Sequence, residues 1–160
     1  MKEINKVMAC VDLSDYSKMT VENTVAIVRG LTAEIILYNV IDSRDIDYLK
    51  NVGPHFPGGF KVENYLERVK AERQQAIEEM IKKHFPEDKE RMSILIDVGV
   101  PFDAILKTII AEKIDLVVIA SKGKSNLIGT LFGSNAEKVF RHSTVPVLSV
   151  RSRERFSQKR

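Results

Sequence analysis

The sequence predicts an α/β fold, a doubly wound open parallel sheet of five strands with helices on both faces. Three observations carry this reading. Five short runs of consecutive apolar residues look like strands buried on both faces, and segments of helical periodicity separate them. A stretch holding Gly123, Gly129 and Gly133 directly follows the fourth run, where sheets of this kind place their ligand loops.

Val7 to Val11 form the first run, which ends in Asp12. In the segment that follows, SDYSKMTVENTVAIVRG, Ser14 stands as a helix N-cap. Met19, Thr24 or Val25, and Val28 repeat at helical spacing, and Gly30 closes the helix. The second strand runs from about Glu34 to Val40, with Ile35, Ile36, Leu37 and Tyr38 in succession. Asp42 to Phe60 has no clear period and reads as an irregular segment able to cover a site.

From Lys61 to His84, the positions Val62, Tyr65, Leu66, Val69, Ala76, Ile77, Met80 and Ile81 trace an apolar stripe among charges. This is a long amphipathic helix against one face of the sheet, ended by Phe85 and Pro86. Ser93 to Val98 is the third strand. Pro101 then opens a helix whose inner face is read as Ile105, Leu106, Ile109 and Ile110. Asp115 to Ala120 is the fourth strand, a helix starts near Gly133, and Val147 to Val150 is the fifth. Strands alternating with helices imply parallel pairing through right-handed crossovers.

At 160 residues, with 44% hydrophobic and 29% charged residues, the chain is sized for one compact domain that needs neither disulfides nor metals. The expected domain is residues 1–151, with a basic tail over 152–160. No apolar run approaches the ~18 residues of a membrane span. The net charge of +3 comes from the last ten residues, which hold five bases and one acid and leave a near-neutral body. A nucleic-acid partner is therefore not expected. Cys10 is the one cysteine; it reads as a small buried hydrophobe with no redox role, and an internal disulfide is excluded. With no apolar signal region at the N-terminus, a cytoplasmic setting is expected.

Two motif look-alikes fail. Gly123 to Ser125 imitates the end of a P-loop, but Val118 stands where that motif needs glycine. Asp97 to Pro101 imitates a receiver's phosphoacceptor turn, yet Asp97 falls within the third strand and Arg151 follows the last. His55, His84 and His142 are scattered, with no zinc spacing. No nucleophile pairs with a histidine, so no catalytic residue is expected.

The stretch ASKGKSNLIGTLFGSNAEKVFRHSTVPVLSV resembles the nucleotide-binding signature of the universal stress protein family, G-x2-G-x9-G-[ST], followed by that family's helix and V-P-V strand. Nine residues separate Gly123 from Gly133, and Ser134 fills the hydroxyl position. VDLSDYS resembles the family's opening, and DVGVPFDAILKTIIAEKIDLVVIAS its third strand, helix and fourth strand. The likeness covers nearly the whole chain except roughly Arg44 to Lys61.

The resemblance implies strand order 3-2-1-4-5 and an ATP or AMP site carrying Mg²⁺ or Mn²⁺ through the phosphates, with at most slow ATP hydrolysis. Asp12 and the main chain at Val40 would hold the adenine and ribose, and Gly123, Gly133, Ser134 and Asn135 the phosphates, with Lys122 and Lys124 adding charge. Ala120 replaces the signature's first glycine. That change is harmless if the residue has negative φ and its Cβ points away from the ligand; otherwise it crowds the site. The implied function is a nucleotide-dependent regulator or adaptor that dimerises through its last strand, Val145 to Val150. The alternative is a dimeric interaction module of the same fold that binds no nucleotide. Simpler readings stand beside these: Gly133 and Ser134 as a helix start with the serine as N-cap, Asp12 as a cap for the first helix, Gly129 as a loop glycine, and the lysines as solvated.

Overall fold

A computed structural model describes residues 3–55, 58, 60–122 and 133–152. Five strands, β1 (Lys6–Cys10), β2 (Glu34–Asp42), β3 (Met92–Gly99), β4 (Leu116–Ala120) and β5 (Val147–Val150), form one parallel sheet in the order β3-β2-β1-β4-β5. The helices are α1 (Tyr16–Ile27), α2 (Ser43–Val52), α3 (Val62–His84), α4 (Pro101–Ala111) and α5 (Ser134–His142).

Strand alternation divides the core into two layers. Val7, Ala9, Ile35, Leu37 and Val118 face one layer, which Val21 of α1 and Ile77 and Ile81 of α3 close. Met8, Ile36, Tyr38 and Val117 face the other, against Ile105 and Ile109 of α4 and Ala136 and Val139 of α5. Because β1 and β4 are covered on both sides, their sequences have no polar alternation. Each fully buried Val or Ile contributes ~1.5–3 kcal/mol.

Several expectations are corrected. The segment after Asp42 is not irregular throughout: α2 takes Ser43–Val52 and a 3-10 turn Gly53–His55, with Asp42 as N-cap accepting from the Arg44 N–H at 3.0 Å. The inner face of α1 is Ser17, Thr20, Val21 and Thr24, while Met19 and Val25 are only partly buried. The threonines can be buried because their hydroxyls donate one turn back, Thr20 to Tyr16 O at 2.9 Å and Thr24 to Thr20 O at 2.8 Å. On α4, Ile110 is 71% exposed and Thr108 takes the inner place. Gly30 does close its segment, at φ +81, which glycine adopts freely.

Lys113 follows α4 in the left-handed region, at φ 55. Its N–H donates to Ile110 O, and that of Ile114 to Ile109 O. Together they make the paired C-terminal cap that usually carries glycine.

Candidate functional site

A cavity of ≈ 350 Å³ opens at the carboxyl edge of the sheet, where the strand order reverses about β1. That is the place and the size expected of a small-molecule site in such folds. Its walls bring together Asp12 after β1, Val40 of β2, Ala120 and Lys122 at the end of β4, and Gly133, Ser134 and Asn135 at the start of α5. Gly123, Lys124 and Gly129 lie outside the described residues.

Asp12 is held in a tight turn between β1 and α1. Its Oδ1 accepts from the Ser14 N–H at 3.0 Å, the Ser14 hydroxyl at 2.5 Å and the Ser17 hydroxyl at 3.2 Å. The next residue, Leu13, has φ 60, a conformation costing ~1–2 kcal/mol for a side-chain-bearing residue; its packing against the α1 core layer offsets that strain. The turn therefore delivers a carboxylate of fixed direction to the cavity wall while serving the helix start. Ser14 is not the N-cap: Asp15 holds that position without a side-chain bond, and the Ser14 hydroxyl accepts from the Tyr16 N–H at 3.3 Å.

Gly133 is the N-cap of α5, at φ −68 and ψ 148, and Ser134 is the first helical residue. The serine is therefore not the cap. A backbone of this kind suits any residue, and a Cβ at Gly133 would meet Ser121 O at 3.5 Å and Lys122 Cα at 4.0 Å, which is ordinary contact. Neither the turn nor the surrounding chain requires glycine here. The first-turn N–H groups of α5 and the positive end of its dipole face the same region as Lys122. Ala120 is not among the non-glycine residues of positive φ, which in the described chain are Leu13 and Lys113. Its side chain packs toward the α1 layer with Val118. The first of the two conditions for a harmless replacement is met.

The cavity floor is Cys10, Tyr38 and Ile119. Tyr38, 1% exposed, donates its phenol to Asp97 Oδ2 at 2.7 Å and accepts from the Thr108 hydroxyl at 2.9 Å. Burial, the largest influence, holds the phenol well above its ordinary range. The Cys10 thiol is pushed up to about 12 by burial and then by the charge of Asp12, so it is neither thiolate nor nucleophile at neutral pH. Cys10 is partly rather than fully buried, since one side forms cavity wall.

Above the floor, Arg44 chelates Asp42 through Nε at 3.0 Å and Nη2 at 2.5 Å, and these bonds lower the Asp42 carboxyl below its usual range. From α3, Arg73 reaches over the ends of β1 and β2 to Asn39 Oδ1 at 2.7 Å and Val40 O at 3.1 Å. Sequence reasoning missed Arg73, Tyr38 and Asn39. The available signal was Asn39 itself, a polar residue inside an apolar strand, which must find a buried partner. Among the described residues no group of three or more His, Cys, Asp or Glu is placed to hold a metal ion, and no helix is long and apolar enough to cross a membrane.

Comparison with known proteins agrees with the fold. The family model described as the universal stress protein family matches residues 3–151. The universal stress protein MJ0577 of Methanocaldococcus jannaschii is 30% identical over 152 residues, covering 91% of this chain and 94% of that protein. YxiE of Bacillus subtilis, another universal stress protein, is 26% identical, covering 92% of this chain and 99% of its own length. The solved structure of MJ0577 superposes with a TM-score of 0.76 at 26% identity, covering 92% of this chain and 96% of that one. Two further structures share the fold, a universal stress protein in complex with cAMP (TM-score 0.59, 23% identity, 92% and 96% coverage) and one from Archaeoglobus fulgidus in complex with dAMP (0.53, 20%, 94% and 100%). With its strand order, its cavity and its family signature in agreement, the chain belongs to the universal stress protein family.

Proposed function

We propose that this protein is an adenine-nucleotide binding module, a regulator or adaptor whose state is set by ATP or AMP held in the cavity at the sheet's reversal point. One observation carries the reading. Every described residue that the family resemblance assigns to the ligand lines one and the same cavity, although these residues come from β2, the end of β4, the start of α5 and the turn after β1. The arrangement suits the ligand's chemistry. Asp12, fixed by three donors, is an acceptor for ribose hydroxyls. The N-terminus of α5 and Lys122 form a cationic end for phosphates, which would carry Mg²⁺ or Mn²⁺ with them. Gly133 leaves the helix start open to close approach. The cAMP and dAMP complexes belong to proteins of 23% and 20% identity; that likeness is one of fold, so the residues of this cavity carry the ligand reading.

The test is calorimetric titration of nucleotide-free protein with ATP and with AMP, each with Mg²⁺. The expected result is a Kd in the micromolar range for at least one of them. No heat at high protein concentration, together with no thermal shift, overturns the reading and leaves the interaction module in its place.

In either case we infer that the protein works as a homodimer. Among the described residues β5 is an edge strand paired to β4 alone, and its Leu148 is 37% exposed; a regular apolar edge of this kind is an aggregation hazard unless it is covered. Sedimentation showing only monomer at micromolar concentration overturns the dimer.

A further inference from the structure

A chain of hydrogen bonds ties α3 to the turn that carries Asp12. The main-chain ladder of β1 and β2 ends with the Val11 N–H donating to Tyr38 O at 2.9 Å. Val11 O then takes its donor from a side chain, Asn39 Nδ2 at 2.7 Å. Asn39 is 1% exposed and Val11 2%, so water does not substitute at either end of this bond. The other end of the same peptide unit, the Asp12 N–H, donates to the Ser17 hydroxyl at 3.2 Å. A peptide unit is planar. Held at its oxygen and at its nitrogen, the Val11–Asp12 plane is fixed, and with it the direction in which the Asp12 side chain leaves the main chain.

The bond from Asn39 depends on which way its carboxamide faces. Turned about, the group would set its oxygen against Val11 O, two acceptors with no proton between them. Arg73 prevents this. Its Nη1 donates to Asn39 Oδ1 at 2.7 Å and to Val40 O at 3.1 Å. A guanidinium has donors only, so the amide oxygen must face α3 and the amide nitrogen must face Val11. Both bonds go to neutral groups, so a half-buried charge whose pKa is lowered by burial is kept on α3 with no carboxylate among its hydrogen-bond partners.

We propose that Arg73 is a positioning residue for Asp12, acting through Asn39 and the Val11–Asp12 peptide to hold the carboxylate in the direction that a bound nucleotide meets. This rests on the reading that the cavity holds an adenine nucleotide and that Asp12 touches it. The role requires no contact between Arg73 and the ligand. Without the guanidinium the Asn39 amide is free to turn and Val11 O loses its donor. The turn then has a freedom that binding must remove, and that ordering lowers the affinity.

The test compares the full chain with Arg73→Met, which keeps the aliphatic stem and donates nothing, and with Arg73→Lys, which keeps a donor. In nucleotide-free protein, hydrogen exchange at the Asp12 and Ser14 amides is expected to quicken about tenfold in Arg73→Met, with the amides of α4 unchanged. Calorimetry with AMP and with ATP, each with Mg²⁺, is expected to show a Kd weakened about tenfold in the same variant, the scale of one hydrogen bond to a charged group. Arg73→Lys is expected to bring both readings back to within about threefold of the parent. Arg73→Gln, too short to reach Asn39, replaces Arg73→Met if that variant does not fold. Unchanged exchange at Asp12 and Ser14 overturns the positioning role whatever the Kd does. Quickened exchange with an unchanged Kd reduces Arg73 to a brace for the fold and overturns it as well. A parent chain that binds neither nucleotide overturns the nucleotide reading and this role with it, and the exchange arm, read without nucleotide, keeps the two failures apart.

Discussion

Replacing Gly133 with alanine separates what this residue does for the fold from what it does for the cavity. The backbone at φ −68 and ψ 148 accepts a side chain without strain, and the new Cβ would lie 3.5 Å from Ser121 O and 4.0 Å from Lys122 Cα. Restricting the unfolded chain stabilises by ~0.4–1 kcal/mol. Alanine is a poorer N-cap than glycine by a comparable amount. The two offset, so the Tm of Gly133→Ala should stay within about 4 °C of the parent. Binding should behave differently under the proposed function, because a phosphate drawn to the first-turn N–H groups of α5 would meet the new methyl group. Loss of one charge-assisted hydrogen bond, ~1.5–3 kcal/mol, weakens Kd about ten- to hundredfold. Calorimetry with ATP and AMP, run beside a thermal melt, gives both numbers. An unchanged Kd with an unchanged Tm refutes the close-approach argument, and a Tm loss well beyond 4 °C refutes the claim that the chain tolerates a Cβ there.

Other perturbations test the parts around the cavity. Tyr38→Phe strips Asp97 and Thr108 of their buried partner and should cost about 1–3 kcal/mol in urea denaturation at pH 7; an unchanged midpoint refutes the network's role. Moving the Cys10 thiol from its ordinary 9.0 to about 12 cuts the thiolate fraction about a thousandfold at pH 8, so alkylation should be slower by that factor in folded than in denatured protein. The same elevation means that folding favours the protonated thiol. Its contribution to stability is therefore full below pH 9 and is lost as the pH rises toward 12, a slope that Cys10→Ala should remove. Lys113→Gly relieves the left-handed residue after α4 and should stabilise by about 0.5–1 kcal/mol, read from the denaturation midpoint. Asp42→Ala removes the cap of α2 at a cost of about 1 kcal/mol, and hydrogen exchange should quicken across Ser43–Val52 before it does elsewhere.

The strands could be read because burial on both faces leaves no polar alternation to confuse them, and because helix-length segments separate them. Their spatial order could not be read that way. Pattern alone leaves several arrangements of parallel strands open, and 3-2-1-4-5 came from the likeness in the glycine stretch. In α2 the period was there to read, with Ile46, Leu49 and Val52 on one side of SRDIDYLKNV, but the segment is short and runs directly into Gly53 and Pro54. Reading Ile110 inward beside Ile109 overlooks that neighbours on a helix point about 100° apart. Thr108 took the inner place because its hydroxyl reaches Tyr38. In the site, the residues next to the glycines were legible because a spacing marks them. Arg73 was not, because on a helix rich in charge one arginine looks like any solvated neighbour until Asn39 shows where it must reach.

The cavity's opposite walls come from opposite ends of the chain, Asp12 from the first turn and Gly133 from the last helix, and they meet because β4 lies beside β1. A nascent chain that has made only its first three strands therefore has half a site. Contacts between segments so distant in sequence carry a large loop-closure cost, and competence to hold a ligand waits until β4 and α5 have docked. A bound molecule would then act as a strap across the closing seam, stabilising the folded chain through mass action and slowing the detachment of β4, α5 and β5 in particular. Ligand protection in this protein should accordingly be read at its C-terminal third, and a fragment ending before β4 should show none.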